Sequence, residues 1–371
     1  MSVEAPPSAR PPRRRGFNLL EKFSPQRGYG PFREEDFAII REWGFDFARL
    51  PLDYRNWSDP ADWRRLDEAV LREIDQAVSW GREYGVHVSL NFHRAPGYSV
   101  NRSYREPFNL WTDAEALEAC AWHWARFAER YADVPAEALS FDLLNEPAMM
   151  APGDKRLVTM THYAPVIDRL VDEIRAHAPA RPIWVEGGLW GSLPTPARPE
   201  ADVGRSLHLY APLTLTHWRA AFIDGAEQWP EPAWPMDPGP TAREDEAWRE
   251  RGVREFYGEH PVPAGMWDDA PERPWDAARL ERRLRPWVDL AASGAPVHAG
   301  EFGVFHHTPH AVALAWLRDA TTIFRTHGLG WALWELRGEF GVLDSGRADV
   351  RYDTWRGHRL DRAMLDVLQA G

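Results

Sequence analysis

Eight short apolar runs, each followed by a longer amphipathic stretch, constrain this 371-residue chain more than any other feature. They are Phe17 to Leu20, Phe45 to Leu50, Val86 to Phe92, Leu139 to Leu144, Ile183 to Glu186, Ser206 to Tyr210, Val297 to Phe302 and Trp331 to Leu336. Strands that alternate with helical segments pair in parallel through crossover connections. Eight such units predict an α/β fold, a (β/α)8 barrel of the TIM type, whose site lies where the strands end. An open doubly wound sheet is the competing topology. It would carry a glycine-rich phosphate turn after an early strand, and the sequence has none.

The intervening segments carry helix punctuation. Thr112 and Glu115 have the spacing of a capping box, and Leu117, Cys120, Ala121, Trp124, Phe127, Ala128 and Tyr131 recur at helical spacing after it. Arg33 to Trp43 stops at Gly44, Asp67 to Tyr84 at Gly85, and Ala311 to His327 at Gly328, each glycine suited to the left-handed residue that closes a helix.

One segment breaks the alternation. Residues 211–275, rich in Trp and Pro, hold Trp218, Trp229, Trp234, Trp248 and Trp267 and a charged helical stretch near Thr241 to Glu255. A loop of this length in a compact fold is usually functional, so we read it as a lid or subdomain inserted after strand six, over the barrel mouth. Residues 1–15, with Pro6, Pro7, Pro11 and Pro12 before Arg13 to Arg15, read as a disordered tail, and 16–371 as one catalytic domain.

Composition excludes several function classes. A net charge of −12 opposes a nucleic-acid partner, because phosphate backbones are bound through clustered cations. No window reaches the roughly 18 apolar residues of a membrane span. The single cysteine, Cys120, cannot form an internal disulfide and falls on an apolar helix face. No apolar region follows Arg13 to Arg15, so the expected location is the cytoplasm. The expected state is a monomer or a weak homo-oligomer.

Polar residues collect at the ends of the apolar runs: Asn18, Arg49, His93, Asn145, Glu146, Glu186, His208, Tyr210, Glu301 and Trp334. Two of these, Glu146 in Leu143-Leu144-Asn145-Glu146-Pro147 and Glu301 in His298-Ala299-Gly300-Glu301-Phe302-Gly303, can supply the proton donor and the nucleophile that cleavage of a glycosidic bond requires. Spacing alone does not say which one attacks. Asn145 can offer an amide to a sugar hydroxyl, Arg49 and Tyr210 can keep one carboxylate ionised, and His208 or His93 can tune the other. Glu186 reads as structural.

These motifs carry a family resemblance. Ala48-Arg49-Leu50-Pro51, Asn91 to Gly97, Asn145-Glu146-Pro147, His208-Leu209-Tyr210, Gly300-Glu301-Phe302-Gly303 and Trp331-Ala332-Leu333-Trp334 occur one per strand. In that order the chain resembles glycoside hydrolase family five, the old cellulase family A, from Gly16 to about Leu368. The resemblance implies an acid/base at Glu146, a nucleophile at Glu301, substrate contacts from Arg49, His93, Asn145, His208 and Tyr210, and a sugar platform at Trp334. It implies a retaining β-glycosidase acting on β-glucosidic linkages of soluble oligosaccharides or glucans, without a cofactor or metal, with β-mannanase or another β-glycoside specificity as the alternative. The acidic stretch after strand eight, Glu335 and Glu339, departs from the family pattern.

Two readings of other classes stay open. His306, His307 and His310, with His298 nearby, could hold a catalytic metal in a barrel hydrolase, and a barrel that binds sugar without cleaving it is the other. Beyond Trp334, the indoles of Trp57, Trp111, Trp190 and Trp218, all on strand-exit loops, are candidates for stacking on sugar.

Overall fold

The computed structural model describes residues 13–27, 30–101, 105–196, 198, 203–267 and 271–371. Most of the expected tail, residues 1–12, lies outside the described residues. Its last three residues do not belong to a disordered segment. Arg13 Nε donates to the Leu329 carbonyl, the Arg14 carbonyl accepts from the Trp331 amide, and Arg15 opens the first strand.

Eight parallel strands close into a barrel: β1 (Arg15–Asn18), β2 (Phe47–Asp53), β3 (His87–Arg94), β4 (Leu139–Asp142), β5 (Ile183–Glu186), β6 (Gly204–Leu209), β7 (Val297–Phe302) and β8 (Gly330–Leu333). Each pairs with its sequence neighbours, and β8 pairs back to β1 through Arg15 and Trp331. Nearly every strand residue is buried, as strands lined on one side by packed barrel interior and on the other by helices must be. The expected barrel is the observed one, with strand bounds shifted by a few residues.

Helices flank the barrel, among them α1 (Glu34–Glu42), α2 (Glu68–Tyr84), α3 (Ala114–Arg130), α4 (Met160–His177), α5 (Ala242–Tyr257), α6 (Ala277–Ala292) and α7 (His310–Thr326). The glycine stops act as expected. Gly44, Gly85 and Gly328 all take positive φ just past α1, α2 and α7. The expected capping box does not form, because α3 begins one residue later: Asp113 is the N-cap, its carboxylate accepts from the Asn109 amide, and Thr112 Oγ1 donates to Asp113 Oδ1.

The insertion divides in two. Its first part stays by the strand exits, where Phe222 packs against Phe305 and His217 against Tyr210 and Phe340. Its second part leaves them. Trp234 Nε1 donates to Asp319 on α7, and α5 packs beside the β5 exit, where the fifth unit supplies only a four-residue helical turn, Gly188–Gly191. There Phe256 covers Gly188, and the Tyr257 hydroxyl donates to the Pro194 carbonyl. Among the described residues, no helix is long and apolar enough to cross a membrane.

Candidate active site

Arg49, at the middle of β2, is fully buried and organises the floor of the site. Its guanidinium donates to Asp142 Oδ2 (2.8 Å), Asn18 Oδ1 (3.0 Å), Glu301 Oε1 (2.7 Å), Asn145 Oδ1 (2.9 Å) and Glu186 Oε1. Four strand ends, those of β1, β4, β5 and β7, are thereby tied to one cation on β2. Burial alone would weaken that charge, yet Asp142, Glu186 and Glu301 more than compensate and hold Arg49 protonated. A rigid planar fork suits this task better than a lysine ammonium.

Glu301 reaches the site through a local irregularity of β7. Ala299 faces Leu207 on β6 and Glu301 faces His208, so Gly300 is an extra residue that the neighbouring strand does not match. A bulge re-aims the following side chain. Glycine suits the bulged position, because a Cβ there would sit 2.4 Å from Ser206 Oγ and force that hydroxyl to move. Glu301 then receives Arg49 at Oε1 and the Tyr210 hydroxyl at Oε2 (3.0 Å).

Glu146 stands just past β4, with its backbone in the left-handed region at φ 49°. His208 bridges the two acids: its Nδ1 lies 2.8 Å from Glu146 Oε1 and 3.6 Å from Glu301 Oε2. Ligand atoms of Glu146, His208 and Glu301 all fall within 4.8 Å of one another. Carboxylates so close would also attract a cation, but Arg49 and a protonated His208 already fill the pocket with positive charge.

The electrostatics follow from depth. Burial pushes Glu301 up to about 7, Glu146 and Glu186 add to this, and His208 and Arg49 oppose it. Arg49 and Tyr210 both contact this carboxylate, as expected of groups that favour its ionised form, while desolvation and the two like charges work against them. Burial would strip His208 of its proton, yet Glu186 and Glu301 raise it well above the ordinary histidine range. Burial and Arg49 lower His93, which stays neutral.

The aromatic wall lies beside the nucleophile candidate. Trp334 stacks on His93 (5.5 Å between centroids, 21° between planes), Phe23 packs against both, and His93 Nδ1 lies 4.0 Å from Glu301 Oε1. All eight residues singled out for the site converge here. Asn145 Nδ2 is buried without a protein partner, so its amide remains free for a ligand.

Other expectations fail. Trp57 and Trp111 are buried in the core, Trp57 against Phe92, Phe127 and His123 and Trp111 against Tyr98 and Tyr163, so neither can stack on sugar. Trp190 is half-buried beside Trp248 of α5, and Trp218 is half-buried with its Nε1 on the Trp229 carbonyl. The histidines of the metal reading scatter: His298 stacks on Trp184, His306 on His307, and His310 faces Asp361. Among the described residues they form no metal-ligating group.

Asp142 was missed, and Glu186 was read only as structural. Asp142 and Glu186 end β4 and β5 on the barrel interior, and both are fully buried on Arg49. Glu186 closes its apolar run, a signal that does not separate a site carboxylate from a structural one, whereas Asp142 lies inside the run Leu139 to Leu144 and gave no such signal.

A closed β/α barrel whose fourth and seventh strands deliver facing glutamates is the arrangement of a barrel glycosidase. The chain belongs to the cellulase family of glycosyl hydrolases, family 5, whose model matches residues 16–339. Endoglucanase C of Acetivibrio thermocellus is 24% identical over 324 residues, covering 85% of this chain and 88% of the relative. A solved structure described as a glycoside hydrolase superposes with a TM-score of 0.83 at 32% identity, covering 96% of this chain and 99% of its own. Cel5A of Thermotoga maritima, solved with mannotriose, superposes with a TM-score of 0.69 at 20% identity, covering 96% and 97%.

Proposed function

We propose that the enzyme is a retaining β-glucanase in which Glu301 attacks the anomeric carbon and Glu146 protonates the leaving oxygen, then activates water. The observation that carries this reading is the approach of the two carboxylates to within 4.8 Å. Retaining enzymes keep theirs about 5 to 5.5 Å apart, and a water-admitting inverting site needs about 6.5 Å or more. Glu301 takes the nucleophile's part because Arg49 and Tyr210 bind its two oxygens and keep both turned into the pocket, which suits attack. Glu146, partly exposed and bonded to His208, would exchange its proton with water.

Asn145 Nδ2, which has no protein partner, would donate to the sugar hydroxyl beside the reacting carbon, a bond that strengthens as the oxocarbenium ion develops. The Trp334 indole would carry a pyranose face. A β-glucan substrate is supported by the endoglucanase relative; the mannotriose complex of the Thermotoga enzyme keeps β-mannan as the alternative. Digestion of cello-, laminari- and manno-oligosaccharides, with the product anomer followed by proton NMR, tests the reading. The first-formed product should be the β-anomer from a β-1,4-glucan. An α-anomer would refute the retaining mechanism, and exclusive release of mannose oligomers would refute the substrate.

A further inference from the structure

Glu186 is fully buried at the end of β5, and the double-displacement chemistry assigns it no step. Its contacts are all with donors. Oε1 accepts from Arg49 Nη2 and lies 3.2 Å from His208 Nε2; Oε2 accepts from the backbone amide of Glu146 at 2.7 Å.

Glu146 holds a backbone conformation that non-glycine residues rarely adopt, and it is clamped on both sides of its α-carbon. Glu186 takes its amide. The Tyr98 hydroxyl donates to its carbonyl at 2.8 Å while accepting from the Ala148 amide at 3.0 Å. His208 sits between two acids: its Nδ1 is hydrogen-bonded to Glu146, and its Nε2 lies at ion-pair distance from Glu186, 3.2 Å, without hydrogen-bond geometry. An imidazole with a carboxylate within 3.2 Å of each nitrogen is favoured as the protonated ring, whose charge both acids attract.

We propose that Glu186 is a positioning residue for general acid/base catalysis: it anchors Glu146 through its backbone amide and holds His208 as an imidazolium that engages Glu146 Oε1. Glu146 Oε2 is then the oxygen that carries the proton to and from the glycosidic bond. The proposal rests on the assignment of Glu146 as the acid/base.

The chemistry demands a carboxylate. Two hydrogen-bond donors and the His208 ring converge on two oxygens, so a glutamine would turn an NH2 toward either the Glu146 amide or the Arg49 and His208 pair. An aspartate would fall one methylene short of spanning them. The groups facing Glu186 are Arg49 from β2, His93 from β3, Asp142 and Glu146 from β4, His208 from β6 and His298 and Glu301 from β7, while Tyr163 of α4 donates to its backbone carbonyl. Asp142 and Glu301 repel its charge, and Arg49 and His208 attract it.

The test compares Glu186→Gln with wild type on two substrates. A cello-oligosaccharide needs its leaving group protonated; 2,4-dinitrophenyl β-cellobioside does not. The variant should lose about 100-fold or more in kcat/KM on the oligosaccharide and less than about tenfold on the aryl glycoside, the scale of a general-acid contribution. Its alkaline limb on the oligosaccharide should move to lower pH by about one unit or more, with Glu186→Asp intermediate. NMR titration of His208 in the wild type should show both ring N–H groups through pH 8, and this reading needs no variant to fold. Equal losses on both substrates with an unmoved pH profile, or a His208 that titrates near its ordinary value, would overturn the proposal. If Glu146→Ala kept full activity on the oligosaccharide, the acid/base assignment would fall first and take this proposal with it.

Discussion

Glu146 and Glu301, 155 positions apart in the chain, bring carboxylate oxygens to within 4.8 Å across the mouth of the barrel. His208 lies between them, its Nδ1 nearer to Glu146. Two acids held this close by different strands can divide attack and protonation, and the division is open to direct chemical assay.

Removing each carboxylate should give opposite stereochemistry with azide. Glu301→Gly should lose activity by on the order of 10³-fold or more, with azide yielding the α-glycosyl azide from 2,4-dinitrophenyl β-cellobioside. Glu146→Ala should accumulate the glycosyl-enzyme on that substrate and yield the β-glycosyl azide. Exchange of the two outcomes would reverse the roles, and full activity in Glu301→Gly would end the assignment.

The activity of the free enzyme should rise with pH through about 7, because Glu301 must lose its proton to attack and burial holds it there. A kcat/KM profile that is flat from pH 5 to pH 8 would contradict this.

Stability should move the other way. Burial holds Asp142 up to about 8 and Glu301 up to about 7, far above the ordinary 3.8 and 4.5 of these carboxyls. Between those values the folded chain binds protons that the unfolded chain has released, so stability falls as pH rises. His208, raised by its carboxylate neighbours, acts in the same sense. Glu186, held down at about 2 by His208 and Arg49 against burial, acts oppositely, and only as pH falls from 4.5 toward 2. The melting temperature should therefore decline from about pH 5 to pH 8, and Asp142→Asn should flatten the decline.

Arg49→Ala should destabilise the fold by about 3–5 kcal/mol, since it strands buried carboxylates without a counter-charge. Arg49→Lys should recover only part of this, because an ammonium cannot reproduce a fork serving five acceptors. Urea denaturation at pH 7 measures both.

Trp334 and Trp57 should separate by assay. Trp334→Ala should cut kcat/KM by roughly tenfold or more while barely moving the melting temperature, as expected for a half-exposed platform. Trp57→Ala should cost about 3–5 kcal/mol of stability and leave KM unchanged, because that indole fills core volume.

Treatment with EDTA should leave activity unaltered. Loss of activity restored by zinc would return the metal-dependent reading, although His298, His306 and His310 face separate partners.

Much of this protein was legible from local pattern. Eight apolar runs of strand length with helical segments between them imply parallel pairing, and closure follows because eight parallel strands can remove both sheet edges. Most of the eight site residues were legible at or near the ends of apolar runs, where a polar side chain is costly unless it has a use, and the family motifs supplied the part of Trp334. What the sequence could not carry was contact between residues remote in the chain. The bulge at Gly300 depends on how β7 registers with β6, and the burial of Trp57 and Trp111 depends on where their loops fold back. The parts taken by Asp142 and Glu186 were decided by the closed barrel, which points strand-end acids from all sides at one arginine. Charge and hydrogen-bonding type are properties of a residue; protonation and role come from the distance and dielectric that tertiary structure sets.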